Sequence, residues 1–212
     1  VEINHCGLQE DIYSSSNAYY IRDILYVNTY DAVVTVSNSK ITNNYGPMYC
    51  FIESRAKLTL VNTTISDNVI NTSTNGANGG DVLIWASNDN SDISIEQCVI
   101  TNNQLSKAGK GLIYAQRGST DVEYCAIANN VAENLIAGTS SVTADNNWWG
   151  TNEQPNANVD KWVIMNVACD DSDLSENNQI KLTIDFNHVK TSSGNVEELT
   201  GGVIPQKTYT VT

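Results

Sequence analysis

Basic residues, prolines, phenylalanines and long apolar runs are all scarce in this chain. Eleven lysines and arginines face 24 acids across 212 residues, a formal charge of −13. Such a surface repels phosphate backbones, which argues against nucleic acid as a partner. No run is long and apolar enough to span a bilayer, and no leader-like segment opens the chain. The five cysteines form no C-x-x-C pair, so metal-ligand spacing is missing. Five in this length is also too few for a disulfide-dense scaffold. Helix-favouring composition is nearly absent. Asn, Thr, Ser, Val and Ile dominate and favour strands and turns.

What the chain does have is an echo. An apolar residue, four others, a second apolar residue and then an Asn pair recur at 34–44 (V-T-V-S-N-S-K-I-T-N-N), 58–68, 93–103 and 120–130. The run 1–11 fits with acids in the Asn slots, and 141–150 is a degenerate last copy. The second apolar positions, or anchors, are Leu8, Ile41, Ile65, Ile100, Ile127 and Trp149, spaced by 33, 24, 35, 27 and 22 residues. A repeat of roughly 20–40 residues with short strands predicts a solenoid. One such unit cannot bury its own apolar face, whereas stacking units about 4.8 Å apart buries it continuously. The expected fold is all-β: a right-handed single-stranded parallel β-helix of five or six coils over 1–150, a terminating turn and linker at 151–160, and a β-sandwich-like, partial immunoglobulin-like segment over 161–212. The chain starts directly inside a repeat, so it reads as a monomeric fragment of a larger modular protein.

Period-two alternation points Val34 and Val36, Leu58 and Leu60, and Ile93 and Ile95 inward. Asn44, Asn68, Asn103 and Asn130 share one slot, where stacked amides can pass hydrogen bonds from coil to coil. Cys6, Cys98 and Cys125 share another, with Ser39 and Thr63 in the middle coils. Cys98 and Cys125 then stack within disulfide reach, as a bond or as two packed thiols.

A third strand precedes each copy. Its alignment puts Tyr26, Ile52, Trp85, Tyr114 and Ala137 in one column and Leu25, Phe51, Ile84, Ile113 and Ile136 in the next. Parity leaves open which column faces out. Facing out, the aromatic column is an apolar stripe and a candidate contact surface; facing in, it is core. The segment 13–30 is rich in tyrosine, including Tyr19 and Tyr20, which suits either recognition or loop packing. The Gly- and Asn-rich runs 70–80 and 105–111 read as surface loops. Asn62 and Asn71 open N-x-S/T sequons.

The motif N-N-W-W-G-T-N-E-Q-P at 146–155 suits closure of the last coil, with Trp148 and Trp149 as apolar plates; a sugar-stacking pair is the alternative. Beyond it, Ile180, Leu182, Ile184 and Phe186 alternate as on a sandwich strand. Fewer than sixty residues follow Asn156, against about 100 for a full immunoglobulin-like domain.

These features, taken in order, resemble the adhesin-like surface proteins of methanogenic archaea. They are the strand–Asn repeat L-T-L-V-N-T-T-I-S-D-N, the N-N-W-W-G-T-N-x-x-P terminator, and a tail running from I-K-L-T-I-D-F-N to G-G-V-I-P-Q-K-T-Y-T-V-T. The resemblance implies a secreted, modular protein at the cell surface and a role in attachment to other cells or surface glycans. It implies no catalytic residue, and an anaerobic producer, which favours free thiols. It departs from the pattern where the G-G-A-I-Y element appears only as G-G-D-V-L-I-W and G-K-G-L-I-Y.

The rival class is a polysaccharide lyase or glycoside hydrolase. Hydrolysis wants two carboxylates facing across a sugar, and a lyase wants calcium and a base. The outward strand positions are mostly Thr, Ser, Lys and Glu with no repeated acid stack, and Arg22, Arg55 and Arg117 align with no acidic cluster. His5 and His188 belong to different modules. Asp170, Asp171, Asp173 and Glu176 lack the spacing of a calcium loop, which leaves weak Ca2+ binding as the only cofactor expectation. The reading is therefore a noncatalytic adhesin, with Tyr19, Tyr20, Tyr26, Trp85 and Tyr114 as candidate contacts to a surface glycan or glycoprotein. A pure spacer is the third class.

Overall fold

The computed structural model describes residues 1–4, 23–46, 50–70, 82–105, 110–169 and 181–205. The described residues are all-β, with strands in four sheets and no helix among them. Sheet I opens with Glu2–Asn4, Lys40–Thr42, Thr64–Ser66, Val99–Thr101, Ala126–Ala128 and Asn147–Trp148, all parallel. Sheet II holds Leu25–Val27, Ile52–Ser54, Val82–Ala86, Gly111–Ala115 and Ile136–Gly138. Sheet III holds Val33–Ser37, Lys57–Val61, Asp92–Glu96, Ser119–Glu123 and Ser141–Thr143. Sheet IV is the short stack Tyr45–Gly46, Val69–Ile70 and Gln104–Leu105. The chain visits II, III, I and IV, then returns to II one strand further on. Every pair within II, III and IV is parallel.

The anchors form one internal file. Ile41 pairs with Ile65, Ile65 with Ile100 and Ile100 with Ile127, and each is 1% exposed or less. Trp149 continues the file, since Trp148 pairs with Ala126 and Trp149 is buried in the same core. Each aliphatic anchor contributes about 1.5–3 kcal/mol by burial. At the other end the expected anchor Leu8 is displaced. Ile3 pairs with Ile41, so the first copy is shifted, and Leu8 and Cys6 lie outside the described residues.

The polar residues of the repeat divide two tasks. The first of each Asn pair takes the bend: Asn43, Asp67, Asn102 and Asn129 have φ of 57°, 58°, 58° and 57°. Short polar side chains tolerate this left-handed region best. Asn38, Asn62, Gln97 and Tyr124 do the same at the III-to-I corner. The second Asn turns inward. Asn44 Nδ2 donates to Asn68 Oδ1, Asn68 Nδ2 to Asn103 Oδ1, and Asn103 Nδ2 to Asn130 Oδ1, each at 2.9 Å. Each amide NH2 also reaches the carbonyl of the anchor one layer before: Ile3, Ile41, Ile65 and Ile100. The predicted amide ladder is thus present and fully hydrogen-bonded, which removes the desolvation cost of burying it.

The small-residue slot also holds. Ser39, Thr63, Cys98 and Cys125 are buried, and Asn147 follows, accepting the Cys125 N–H at 2.8 Å. Cys98 and Cys125 are free thiols, as are Cys50 and Cys169. The Cys98 N–H donates to Cys125 Sγ at 3.3 Å.

The terminator splits its tryptophans. Trp149, with Val159 and Trp162, joins the central core, while Trp148 points outward onto Phe186, with ring centroids 5.0 Å apart. The tail begins inside sheet I. Lys161–Cys169 runs parallel to Asn147–Trp148, then pairs antiparallel with Leu182–Thr191, which pairs with Val196–Glu198. Beyond the short parallel pairing, Asn152 stands in for a neighbouring strand: its Oδ1 accepts the Met165 N–H at 2.7 Å and its Nδ2 donates to the Met165 carbonyl at 2.9 Å. Of the alternating tail residues, Phe186 packs inward against Trp148, whereas Leu182 and Ile184 are exposed and Ile180 lies outside the described residues.

Candidate functional site

Sheet II settles the direction of the aromatic column. Ile84 and Ala86 belong to the central core, while Trp85 between them packs separately with Cys50, Val82 and Tyr114. The column carrying Tyr26, Trp85 and Tyr114 therefore lies on the outer face. Its membership needs one correction: Tyr26 pairs with Glu53, and Glu53 with Trp85, so Glu53 occupies the place expected for Ile52. Ile52 takes the place expected for Phe51, in register with Leu25 and Ile84. At this corner Phe51 and Ile52 both enter the core, as do Leu83 and Ile84, and Leu112 and Ile113. Two successive inward residues break period-two parity by one step.

The column is not a bare aromatic stripe. Trp85 is only 6% exposed, with its ring 6.2 Å from that of half-buried Tyr114. Lys110 Nζ stands 5.1 Å from the Trp85 centroid and 5.5 Å from that of Tyr114. The Arg55 guanidinium lies 5.4 Å from the Tyr26 ring. Such cation–π contacts contribute about 0.5–2 kcal/mol. Between the two aromatic groups sits Glu53, 1% exposed, accepting from Ser87 Oγ at 2.7 Å and from Arg55 Nε at 3.3 Å. Arg55 thus sits beside a single buried acid, a pairing that the alignment did not single out. The signal for it was the lone acid in the otherwise apolar run C-F-I-E-S. Tyr19 and Tyr20 lie outside the described residues.

Cys50 completes the cluster. Burial, with Asp23 and Glu53 nearby, pushes its thiol well above the ordinary range, and its Sγ donates to the Ile52 carbonyl at 3.1 Å. A thiol held protonated in this way is a packing group and not a nucleophile at neutral pH.

Sheet III offers a different outer surface. Thr35, Thr59, Ser94, Asp121 and Thr143 stand in register across its five strands. All are exposed or half-buried, while Leu58, Leu60, Ile93 and Ile95 between them are buried. Lys57 and Asp92 pair across adjacent strands at 3.2 Å, while Glu96 stacks on Glu123.

No family model, curated protein or solved structure matches this chain.

The chemistry must accordingly be read from the residues. Among the described residues no group of three or more His, Cys, Asp or Glu could hold a metal ion. The acids Asp170, Asp171, Asp173 and Glu176 lie outside them, as do His5 and most of the loops 70–80 and 105–111. His188 Nδ1 stands 3.5 Å from Asp185 Oδ1 on the tail ribbon. Among the described residues the outer faces of sheets II and III carry hydroxyls, aromatic rings, the Lys57–Asp92 pair and the stacked acids Glu96 and Glu123.

Proposed function

We propose that the stacked circuits form a right-handed single-stranded parallel β-helix, and that the chain is a noncatalytic cell-surface adhesin module that attaches to surface glycans or glycoproteins of other cells. The right hand follows from the general rule for parallel crossovers. The observation that carries the reading is the outer face of sheet III, where hydroxyl side chains repeat in register on neighbouring strands. Weak contacts repeated along a stiff support gain strength through effective concentration. Tyr26 and Tyr114, both half-buried on the adjoining face, add rings against which a neutral sugar can lie. The tail is read as a partial immunoglobulin-like segment, and the whole as one module of a longer extracellular protein of the kind seen in methanogenic archaea.

The lyase or hydrolase reading draws on the juxtaposition of Glu53 and Arg55. Glu53 is closed off and held by Ser87 and Arg55, so this acid is not placed to protonate a leaving group. A glycan array run beside an assay for released sugar ends separates the readings. Binding without turnover supports the adhesin. Release of unsaturated or reducing ends overturns it in favour of an enzyme, and silence in both overturns it in favour of a spacer.

A further inference from the structure

The outer face of sheet I is covered near its end by the tail, and the cover is incomplete. Ile204 packs with Val163 and Val189, and Trp148 and Phe186 pack against the same cluster. Between this cluster and the strands Val99–Thr101 and Ala126–Ala128 there remains a cavity of about 100 Å³. Its walls are mostly apolar: Val99, Ala126 and the rings of Trp148 and Phe186. Its polar lining residues are Thr101 and Asn129, and no lining residue is charged. In the aromatic wall the two rings meet at 60° with centroids 5.0 Å apart.

Volume decides what can enter. An engineered apolar cavity of about 150 Å³ takes benzene, and a water molecule occupies about 30 Å³. A pyranose ring with its hydroxyls is larger than benzene, so it cannot be swallowed here. A planar acetamido group is smaller, and its two halves match the two kinds of wall. The methyl is suited to the indole and alanine side, and the amide N–H and C=O to groups that both donate and accept, as a hydroxyl and a carboxamide do. Neutral lining excludes a carboxylate or an ammonium in the same place, because neither would find an ionic partner.

We infer that this junction cavity is a subsite for the acetamido group of an N-acetylated amino sugar, with the sugar ring remaining at the surface. The site rests on the glycan-attachment reading and narrows its ligand class. Neither half of the molecule makes it alone: the floor comes from the parallel stack and the roof from the tail.

Saturation-transfer NMR with the methyl glycosides of N-acetylglucosamine, glucosamine and glucose tests it on the whole chain. The acetamido methyl should receive the strongest saturation, and the N-acetyl sugar should bind at least tenfold more tightly than the other two. Ala128→Leu, which fills the cavity from its floor, should abolish that preference. Thr101→Val, which keeps the shape and deletes the hydroxyl, should weaken binding severalfold and serves if the leucine variant does not fold. Equal binding of all three sugars, or an undiminished preference in a folded variant, overturns the site. Array hits lacking N-acetyl groups would overturn the site and leave the attachment reading standing. A silent array with clear acetamido saturation would do the reverse.

Discussion

Asn103 sits between Asn68 and Asn130 as both acceptor and donor: its Oδ1 receives the Asn68 N–H at 3.2 Å and the Asn68 Nδ2 at 2.9 Å, while its own Nδ2 serves Asn130 and the Ile65 carbonyl. Asn103→Ala would strand several buried groups at once. With each orphaned group costing about 1–3 kcal/mol, the variant should lose roughly 3 kcal/mol or more. Urea denaturation measures this. The neighbouring Asn102→Gly, at a bend with φ of 58°, should change stability by less than about 1 kcal/mol.

The tail is fastened to the stack by a ring on a glycine. Tyr124 Oη donates to the Thr200 carbonyl at 3.1 Å, and a side chain at Gly202 would run into the Tyr124 ring. Gly202→Val should lift the segment 199–205 at a cost of about 1–3 kcal/mol. Limited proteolysis should then cut that segment faster, while the amide protons of sheets II and III keep their protection. Unchanged cleavage would show that the ring contact does not hold the tail.

Thiol chemistry should divide the cysteines sharply. Cys169 is exposed, whereas Cys50, Cys98 and Cys125 are buried. Burial pushes Cys125 up, while the hydrogen bond from its partner lowers Cys98. Brief iodoacetamide treatment with peptide mapping should label Cys169 in the native state and spare Cys50, Cys98 and Cys125 until denaturant is added. Labelling of Cys98 at a rate like that of Cys169 would mean that the slot opens far more readily than its packing implies.

Acid should loosen the tail ribbon. The Asn166 amide, then the Asn187 N–H and then His188 hold the Asp185 carboxyl below its ordinary range. A depressed folded pKa gives stability that is present above the unfolded value, near about 3.9, and is lost as pH falls through the folded one. Below about pH 4 the wild-type ribbon should therefore lose stability that Asp185→Asn never has. Hydrogen exchange on Leu182–Thr191 across pH 2–6 checks this; parallel profiles would contradict it.

Much of this layout was legible in the sequence, and the failures share a cause. The file of Ile41, Ile65, Ile100 and Ile127 and the amide ladder were readable because each sits at a fixed offset from a bend residue. Counting went wrong wherever the local period changed. Phe51 and Ile52 both turn inward, so the alignment gives Ile52 the place that Glu53 holds. Ile3, with no Asn pair after it, lost its place to Leu8. Trp148 and Trp149 look alike as letters, and only the pairing of Trp148 with Ala126 shows that one closes the core and the other faces the tail. The junction cavity had no sequence signal, because Val99 and Phe186 are far apart in the chain.

The parallel pairing of Asn147–Trp148 with Lys161–Cys169 has a mechanical consequence. A pull along the tail strand loads those inter-strand bonds lengthwise and together, and Asn152, gripping Met165 from the side, shares the strain. Shear of this kind resists tension better than peeling bond by bond, so the joint between the parallel stack and the tail should yield later to a lengthwise pull than to a sideways one.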